Sequence, residues 1–374
     1  MIGSMFAYGV FFPALESELG WSRTLLSGCI SLSFLVMGIG AIGAGQLNDS
    51  FGARGVMMAA GLIYGTGYVL MYYLAAPWQL FVLYGFFIGL GLATHDVVTL
   101  SIIARNFSRR RGTMTGVVKV GTACGQIVIP LVASVLLAAY GWRIAFVALG
   151  VGAGLLLMFA GYWLGLNVEQ PGQDATPQAR TGMPFKQALR SRALWILCVV
   201  QFSFFPTLAT IPVHLPVFAQ DMGMQAAAAA ALLAVIGGVS IVGRLLIGNA
   251  ADRIGGRLSM FICLVILTSS LAFLTTAETH LELYVFASIY GVGHGGLFTV
   301  VSPTIAEYFG MRAHGALFGV VLFCGTLGAA GGPLLAGWIF DQTGSYGIAF
   351  WGLAGMAATA ALLVLTLPRP IKLA

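Results

Sequence analysis

Polar residues interrupt this 374-residue chain at short intervals, and between the interruptions lie apolar runs of about the length a bilayer requires, roughly twenty residues of helix. Twelve such runs can be read, near 1–19, 24–47, 54–75, 78–104, 113–138, 142–166, 192–219, 225–248, 257–276, 282–309, 313–338 and 347–367. Within each run the apolar residues cover every direction instead of alternating with polar ones, so the runs predict helices and not barrel strands. Gly, Ala and Ser scattered through them are the small residues that let membrane helices approach closely. The first run is short before Glu16, which predicts that part of its helix lies upstream. With no basic segment before it and no small-residue cleavage site after it, it reads as a true helix and not as a signal peptide.

Composition sharpens this to a polytopic membrane protein. Apolar residues make up 59% of the chain and charged residues 8%, against about a quarter charged in soluble domains. The net charge of +6 follows from where the basic residues sit. Arg54, Arg105, Arg109 to Arg111, Arg180, Lys186, Arg190, Arg192, Arg253, Arg257, Arg312, Arg369 and Lys372 fall in alternate connections, which the positive-inside rule places in the cytoplasm together with both termini. The opposite connections carry Glu16, Glu18, Asp221, Glu278, Glu282 and Asp341, with Arg23 and Arg143. Nucleic acid is not needed to explain the positive charge. All five cysteines lie inside apolar runs with no C-x-x-C spacing, so they read as packing residues and not as a disulfide framework or metal ligands.

One decapeptide occurs twice. GQLNDSFGAR at 45–54 returns as GNAADRIGGR at 248–257, both reading G-x-x-x-D-x-x-G-x-R between apolar runs. A repeated charged turn in a chain this apolar predicts two duplicated halves. The turn resembles the signature loop of the major facilitator superfamily, G-x-L-x-D-x-x-G-x-R. Gly45, Leu47, Asp49, Gly52 and Arg54 fill every specified place, and the second copy departs only at Ala250. That resemblance implies an all-α membrane fold of twelve transmembrane helices in two pseudo-symmetric six-helix bundles, here 1–167 and 192–374, joined by a polar cytoplasmic linker at 168–191. Phe185, Leu189 and nearby basic residues at the linker's end predict a short amphipathic helix on the membrane surface. The resemblance also implies that Gly45, Asp49, Arg54, Gly248, Asp252, Arg253 and Arg257 form a cytoplasmic gate, whose carboxylates can meet helix-terminal amides and nearby arginines.

Candidate chemistry lies with the few ionisable groups inside the runs. Asp96, Lys119 and Arg244 each sit eight or nine residues from the nearest polar connection, roughly 12–14 Å along a helix at 1.5 Å per residue. A charge at that depth costs at least about 2.5–3.5 kcal/mol, which calls for a partner or a polar cavity. Arg244, in SIVGRLLIGNAADR, resembles the eighth-helix arginine of the monocarboxylate transporter and oxalate/formate antiporter group, which binds the substrate carboxylate. Its planar fork of donors matches a carboxylate, and it stays charged when desolvated. Ser240, one turn earlier, can share that carboxylate. YGVFFPALESELGWSR at 8–23, NFSRRRGTMTGV at 106–117 and the stretch 290–319 extend the resemblance across the chain.

Three departures matter. Animal monocarboxylate carriers have a lysine after the Phe-Pro of helix one, where this chain has Ala14, and an aspartate where it has Ser240. The oxalate carrier's cation on helix eleven has no counterpart in 313–338. Lys119 is the pseudo-symmetric alternative, predicted to face Arg244 and to be held by Asp96 or His95 when the site is empty, either of which can carry a proton; a purely structural Asp96–Lys119 pair is the competing expectation. His294 is a further proton-coupling candidate. Tyr8, Gln201 and Tyr290 are candidate hydrogen-bond donors to substrate, and His214 reads as a structural or gate residue. Prolines 130, 206, 212, 216, 303 and 333 predict bends suited to rocking gates.

The function expected is secondary transport of a small organic anion such as lactate, pyruvate or formate, by alternating access and with proton symport, in a monomeric unit of the plasma (inner) membrane. Oxalate/formate-type antiport is the alternative, with drug/proton efflux of the same fold behind it, since GTACGQIVIPLV at 121–132 lacks the G-P-x-x-G-G stretch of that class. No nucleophile elbow, H-E-x-x-H or phosphate-binding loop suggests an enzyme, and no cofactor or metal is expected.

Overall fold

The computed structural model describes residues 1–96, 99, 111–167, 182–310 and 312–368, and among these the architecture is helical throughout. In chain order the helices are α1 (Ile2–Phe6), α2 (Tyr8–Leu19), α3 (Arg23–Leu70), α4 (Pro77–Leu80), a π-helical segment Phe81–Ile88, α5 (Gly89–Leu92), α6 (Arg111–Asn167), α7 (Phe185–Ala188), α8 (Arg192–Asp221), α9 (Ala226–Ile254), α10 (Gly256–Leu274), α11 (His280–Phe309), α12 (His314–Thr343) and α13 (Gly347–Leu365). Among the described residues, nine stretches are long and apolar enough to cross a membrane. One of them, Thr113–Trp163, takes in two of the runs expected from sequence. The first expected run falls short because it is divided at Ala7, and the fourth appears as the shorter apolar stretch Pro77–Leu92.

Close glycine contacts give the helix directions. A Cβ added at Gly85 would lie 2.6 Å from Leu32, one at Gly89 2.7 Å from Ser33, and one at Gly40 2.9 Å from Ala93, so the first leg of α3 runs parallel to residues 81–93. Later in α3 the sense is opposite, with Gly67 against Phe87 and Gly91 against Tyr64. The chain therefore reverses between 40 and 64, where the first charged decapeptide lies, although its backbone stays helical. In α6 the corresponding turn is made at Gly141, whose φ of 77° and ψ of 169° interrupt the helix in a region that favours glycine. The second leg of α6 then runs against the second leg of α3, Gly150 on Tyr68 and Gly161 on Met57.

The same pairing recurs in the C-terminal part. Helices α9 and α11 run parallel, Gly291 against Ile236 and Gly295 against Ser240, as the first leg of α3 and residues 81–93 do. Two antiparallel contacts join the N- and C-terminal parts. Helix α12 packs on α3 through Thr326 at Gly38 and Gly337 at Arg23, while the first leg of α6 packs on α9 through Gly116 at Arg244 and Gly237 at Gln126. Small residues at each crossing bring the backbones together, and this is what carries the polar side chains of α6 and α9 into mutual reach. At Gly295 a new Cβ would meet Ser240 Cα at 2.8 Å. Gly295→Val is thus expected to cost about 1–3 kcal/mol by overpacking against backbone, read as a lower unfolding temperature in detergent.

At one end of the helices Arg23 is a hub between these two parts. Its guanidinium bonds Asp221 through both Nη atoms, at 2.7 and 3.0 Å, and Glu16 at 2.8 Å, and lies 3.9 Å over the Phe340 ring. Tyr346 Oη lies 3.1 Å from Arg23 and 2.9 Å from His214 Nδ1, while His214 Nε2 reaches Ser27 and the Pro333 carbonyl, both at 3.1 Å. Nearby, Thr24 donates to Asp341 through its amide and its hydroxyl, and Glu18 accepts from Trp142 and Arg143 at 2.7 and 2.5 Å. At the end of the segment expected as linker, α7 is a single turn, and the preceding Met183 amide donates to the Phe309 carbonyl at 2.8 Å. Residues 168–181 lie outside the described chain.

Candidate functional site

Arg244 projects from the middle of α9, fully buried, into the contact with the first leg of α6. Its Nη1 donates to the Lys119 carbonyl and its Nη2 to Gln126 Oε1 at 3.2 Å, while its Nε has no partner. Among the described residues no carboxylate forms a salt bridge with it. A buried guanidinium that hydrogen-bonds only neutral oxygens, with Asp96 acting on it through space and not by contact, is an expensive arrangement that a directly bonded anion would relieve.

Lys119, 3% exposed, is in a different position. Its Nζ is ion-paired with Asp96 Oδ1, and His95 Nε2 stands 3.6 Å from the same oxygen. Phe298 of α11 joins the two cations, its ring centroid 5.7 Å from Lys119 Nζ and 5.8 Å from the Arg244 guanidinium carbon. These are cation–π distances, and the ring face adds attraction without neutralising either charge.

His294, also on α11, completes the cluster. Its Nε2 is 3.2 Å from Gln126 Nε2 and its Nδ1 has no partner. Tyr290 stacks on its ring at 5.3 Å, Phe298 stands edge-on at 5.1 Å, and Phe6 and Phe204 close the surround at 5.9 and 6.2 Å. The helices thus bring together Arg244, Lys119, Asp96, His95 and His294. The sequence reading passed over Gln126 and Phe298, which connect them. The signal for Gln126 was an amide in an otherwise apolar run, four residues before Pro130.

Other candidates are engaged elsewhere. The Ser240 hydroxyl donates to the Gly237 carbonyl at 2.7 Å, Tyr8 Oη to the Leu26 carbonyl at 2.8 Å, and Tyr290 Oη to the Thr207 carbonyl at 3.1 Å. Gln201 is buried with Oε1 unpartnered, and no hydrogen bond among the described residues joins it to the arginine cluster.

At the end of the helices opposite Arg23, Asp252 accepts from the Thr113 amide at 3.1 Å and its hydroxyl at 2.7 Å. A carboxylate on the first turn of α6 meets unpaired amides and the positive end of the helix dipole. Gly248 is buried beneath it, and Gly255, at φ 83°, lets the chain leave α9. Glu307 accepts from the Gly256 amide at 2.9 Å, capping α10. Arg257 donates to the Leu365 carbonyl, Arg253 is exposed, and the Arg54 guanidinium carbon lies 4.9 Å over the Tyr162 ring. Gly45 and Asp49 fall outside the described side chains.

The sequence profile of the Major Facilitator Superfamily matches residues 1–268 and 240–373, two overlapping stretches that leave almost nothing uncovered. The chain belongs to the Major Facilitator Superfamily. Within it the chain resembles the monocarboxylate transporter group. It is 27% identical to monocarboxylate transporter 13 of Rattus norvegicus, over 99% of this chain and 86% of that one. It is 28% identical to monocarboxylate transporter 4 of Mus musculus over 96% and 78%, and 25% identical to monocarboxylate transporter 2 of Homo sapiens over 96% and 80%. Among solved structures, the human organic anion transporter MFSD10 (TETRAN) superposes with a TM-score of 0.68 at 18% identity, covering 97% of this chain and 96% of that one, which shows the shared fold. As a member of this superfamily the chain is a multi-pass membrane transporter and not an enzyme.

Proposed function

We propose that this transporter carries small monocarboxylates across the membrane by alternating access between two six-helix halves, with proton symport. The observation that carries the reading is Arg244, a fully buried guanidinium with one unpaired N–H and no carboxylate in direct contact among the described residues. A planar carboxylate is the ligand that such a fork fits in both charge and geometry. Kinship with the monocarboxylate transporters supports the same substrate class.

Among the described residues Arg244 is the buried cation without a salt bridge, which favours a single carboxylate. Lys119 is, among the same residues, the candidate for a second anion contact, and its ammonium is already paired with Asp96. Proton arrival at Asp96 would dissolve that pair, which makes Asp96 the coupling group of this reading and His95, beside it, the group through which the proton passes. The Arg23–Asp221–Glu16 cluster and the Asp252–Thr113 contact then serve as gates on the outer and cytoplasmic sides, broken alternately as the halves rock.

Uptake of labelled lactate, pyruvate, formate and oxalate into proteoliposomes, with and without an inward proton gradient, tests the reading. Monocarboxylate uptake several-fold above protein-free vesicles, raised further by the gradient, is the expected result. Uptake confined to oxalate exchanging for formate, without response to the gradient, would replace symport of monocarboxylates by antiport.

A further inference from the structure

Arg23, Tyr346 and His214 share one chain of hydrogen bonds across the two parts of the molecule, and its protons can be placed. The Pro333 carbonyl only accepts, so His214 Nε2, 3.1 Å from it, carries an N–H, which Ser27 Oγ at 3.1 Å shares. The Ser27 hydroxyl is free to accept because its own proton goes to the Arg23 carbonyl at 2.6 Å. On a neutral ring Nδ1 then accepts, and Tyr346 Oη, 2.9 Å away, donates to it. The Arg23 guanidinium carries donors alone and gives one to that same phenol oxygen at 3.1 Å. One proton on the ring thus satisfies the whole chain, which ties Arg23 and Ser27 of α3 to His214 of α8 and Tyr346 at the head of α13.

We propose that His214 is a further residue of the transport cycle, the group at which a proton from the outside releases the Arg23 gate. The inference rests on the reading of the Arg23 cluster as the outer gate. The step is transfer of one proton from outside water to Nδ1, which leaves an imidazolium. In the closed arrangement Nδ1–H and Arg23 Nη1–H would then both point at Tyr346 Oη. The phenol proton, displaced from Nδ1, has no other acceptor within hydrogen-bonding distance among the described residues, and a buried donor left unpaired is costly. Among the described residues no carboxylate bonds the ring: Asp221 and Glu16 hold Arg23, and Asp341 holds Thr24. Of the charges that act on the ring through space, Arg23 outweighs Asp341. Opening parts the guanidinium from the ring and lets water take up the displaced N–H and O–H groups. The doubly protonated ring therefore favours the open arrangement, and a proton from outside shifts the population toward it.

Spin labels on Tyr140→Cys and Glu278→Cys, exposed positions at this end on opposite halves, report the gap as a distance in the full-length protein with its five native cysteines replaced by serine. Acidification from about pH 8 to about pH 5, the interval in which histidine changes charge, is expected to raise the long-distance fraction at least about threefold. In His214→Gln, which keeps a donor and an acceptor but takes up no proton, that fraction is expected to stay at its alkaline value throughout. Asp96→Asn is expected to retain the wild-type response, since the response arises at the gate and not at the central ion pair. A response that survives in His214→Gln, or one lost in Asp96→Asn, overturns the inference, as does a long distance equally populated at both ends of the interval. A long distance absent under every condition, with and without lactate, overturns the gate reading itself.

Discussion

Arg244→Ala is expected to lower monocarboxylate uptake per unit of folded protein by at least about a hundredfold. A bidentate guanidinium–carboxylate contact comprises two charge-assisted hydrogen bonds, each about 1.5–3 kcal/mol, and about 1.4 kcal/mol is a factor of ten. The same substitution removes a buried charge that forms no salt bridge among the described residues. It also leaves Gln126 Oε1 without a donor, at about 1–3 kcal/mol. These effects oppose one another, so the unfolding temperature is expected to move by only a few degrees, which separates lost binding from lost folding. Arg244→Lys keeps the charge and loses the fork, and its uptake is expected to fall between the two. Undiminished uptake by Arg244→Ala would remove the arginine from the site.

Lys119→Met is expected to be the most destabilising single change in the cluster. Asp96, with its side chain 16% exposed, would be left without its ammonium, and breaking a buried pair by removing one partner costs about 3–5 kcal/mol. Adding Asp96→Asn removes the stranded charge and is expected to recover most of that loss in detergent melts. The double variant also tells whether the pair does more than allow two charges to live in the membrane. Where Asp96 carries the coupled proton, uptake by Lys119→Met/Asp96→Asn no longer responds to an imposed proton gradient. A gradient response equal to that of the wild type would make the pair structural.

Much of this arrangement was legible in the chain because charges in apolar helices are few and must find one another. Asp96 and Lys119 share a depth and have opposite sign, and the structure pairs them. The repeated turn implied that Asp252 can meet helix-terminal amides, and it accepts from the Thr113 amide at the start of α6. Arg244 stood out by the cost of its charge alone. Gln126 did not, because an amide carries no insertion penalty large enough to call for explanation, and its meaning arises from two helices distant in sequence. Ser240 has a local partner that sequence does not announce: a serine in a helix can satisfy its hydroxyl on the preceding turn, and this one does. Arg23 read as one basic residue in an acidic connection. Only packing reveals it as the point where Glu16, Asp221 and Tyr346 converge. Run counting could not foresee that helical backbone would continue through the reversal in α3, since a charged decapeptide reads as a break whether or not it stays helical.

The donors of Arg244 that are in use already hold oxygen atoms of the protein, a backbone carbonyl and an amide. Under the proposed role of Arg244, substrate binding is an exchange of acceptors, and its free energy is the difference between two sets of similar hydrogen bonds. A difference is small where either set alone would be large, which sets affinity low and dissociation fast. In that role the resident amide would act as a built-in competitor, trading tight capture for the turnover that a carrier releasing its cargo on every cycle requires.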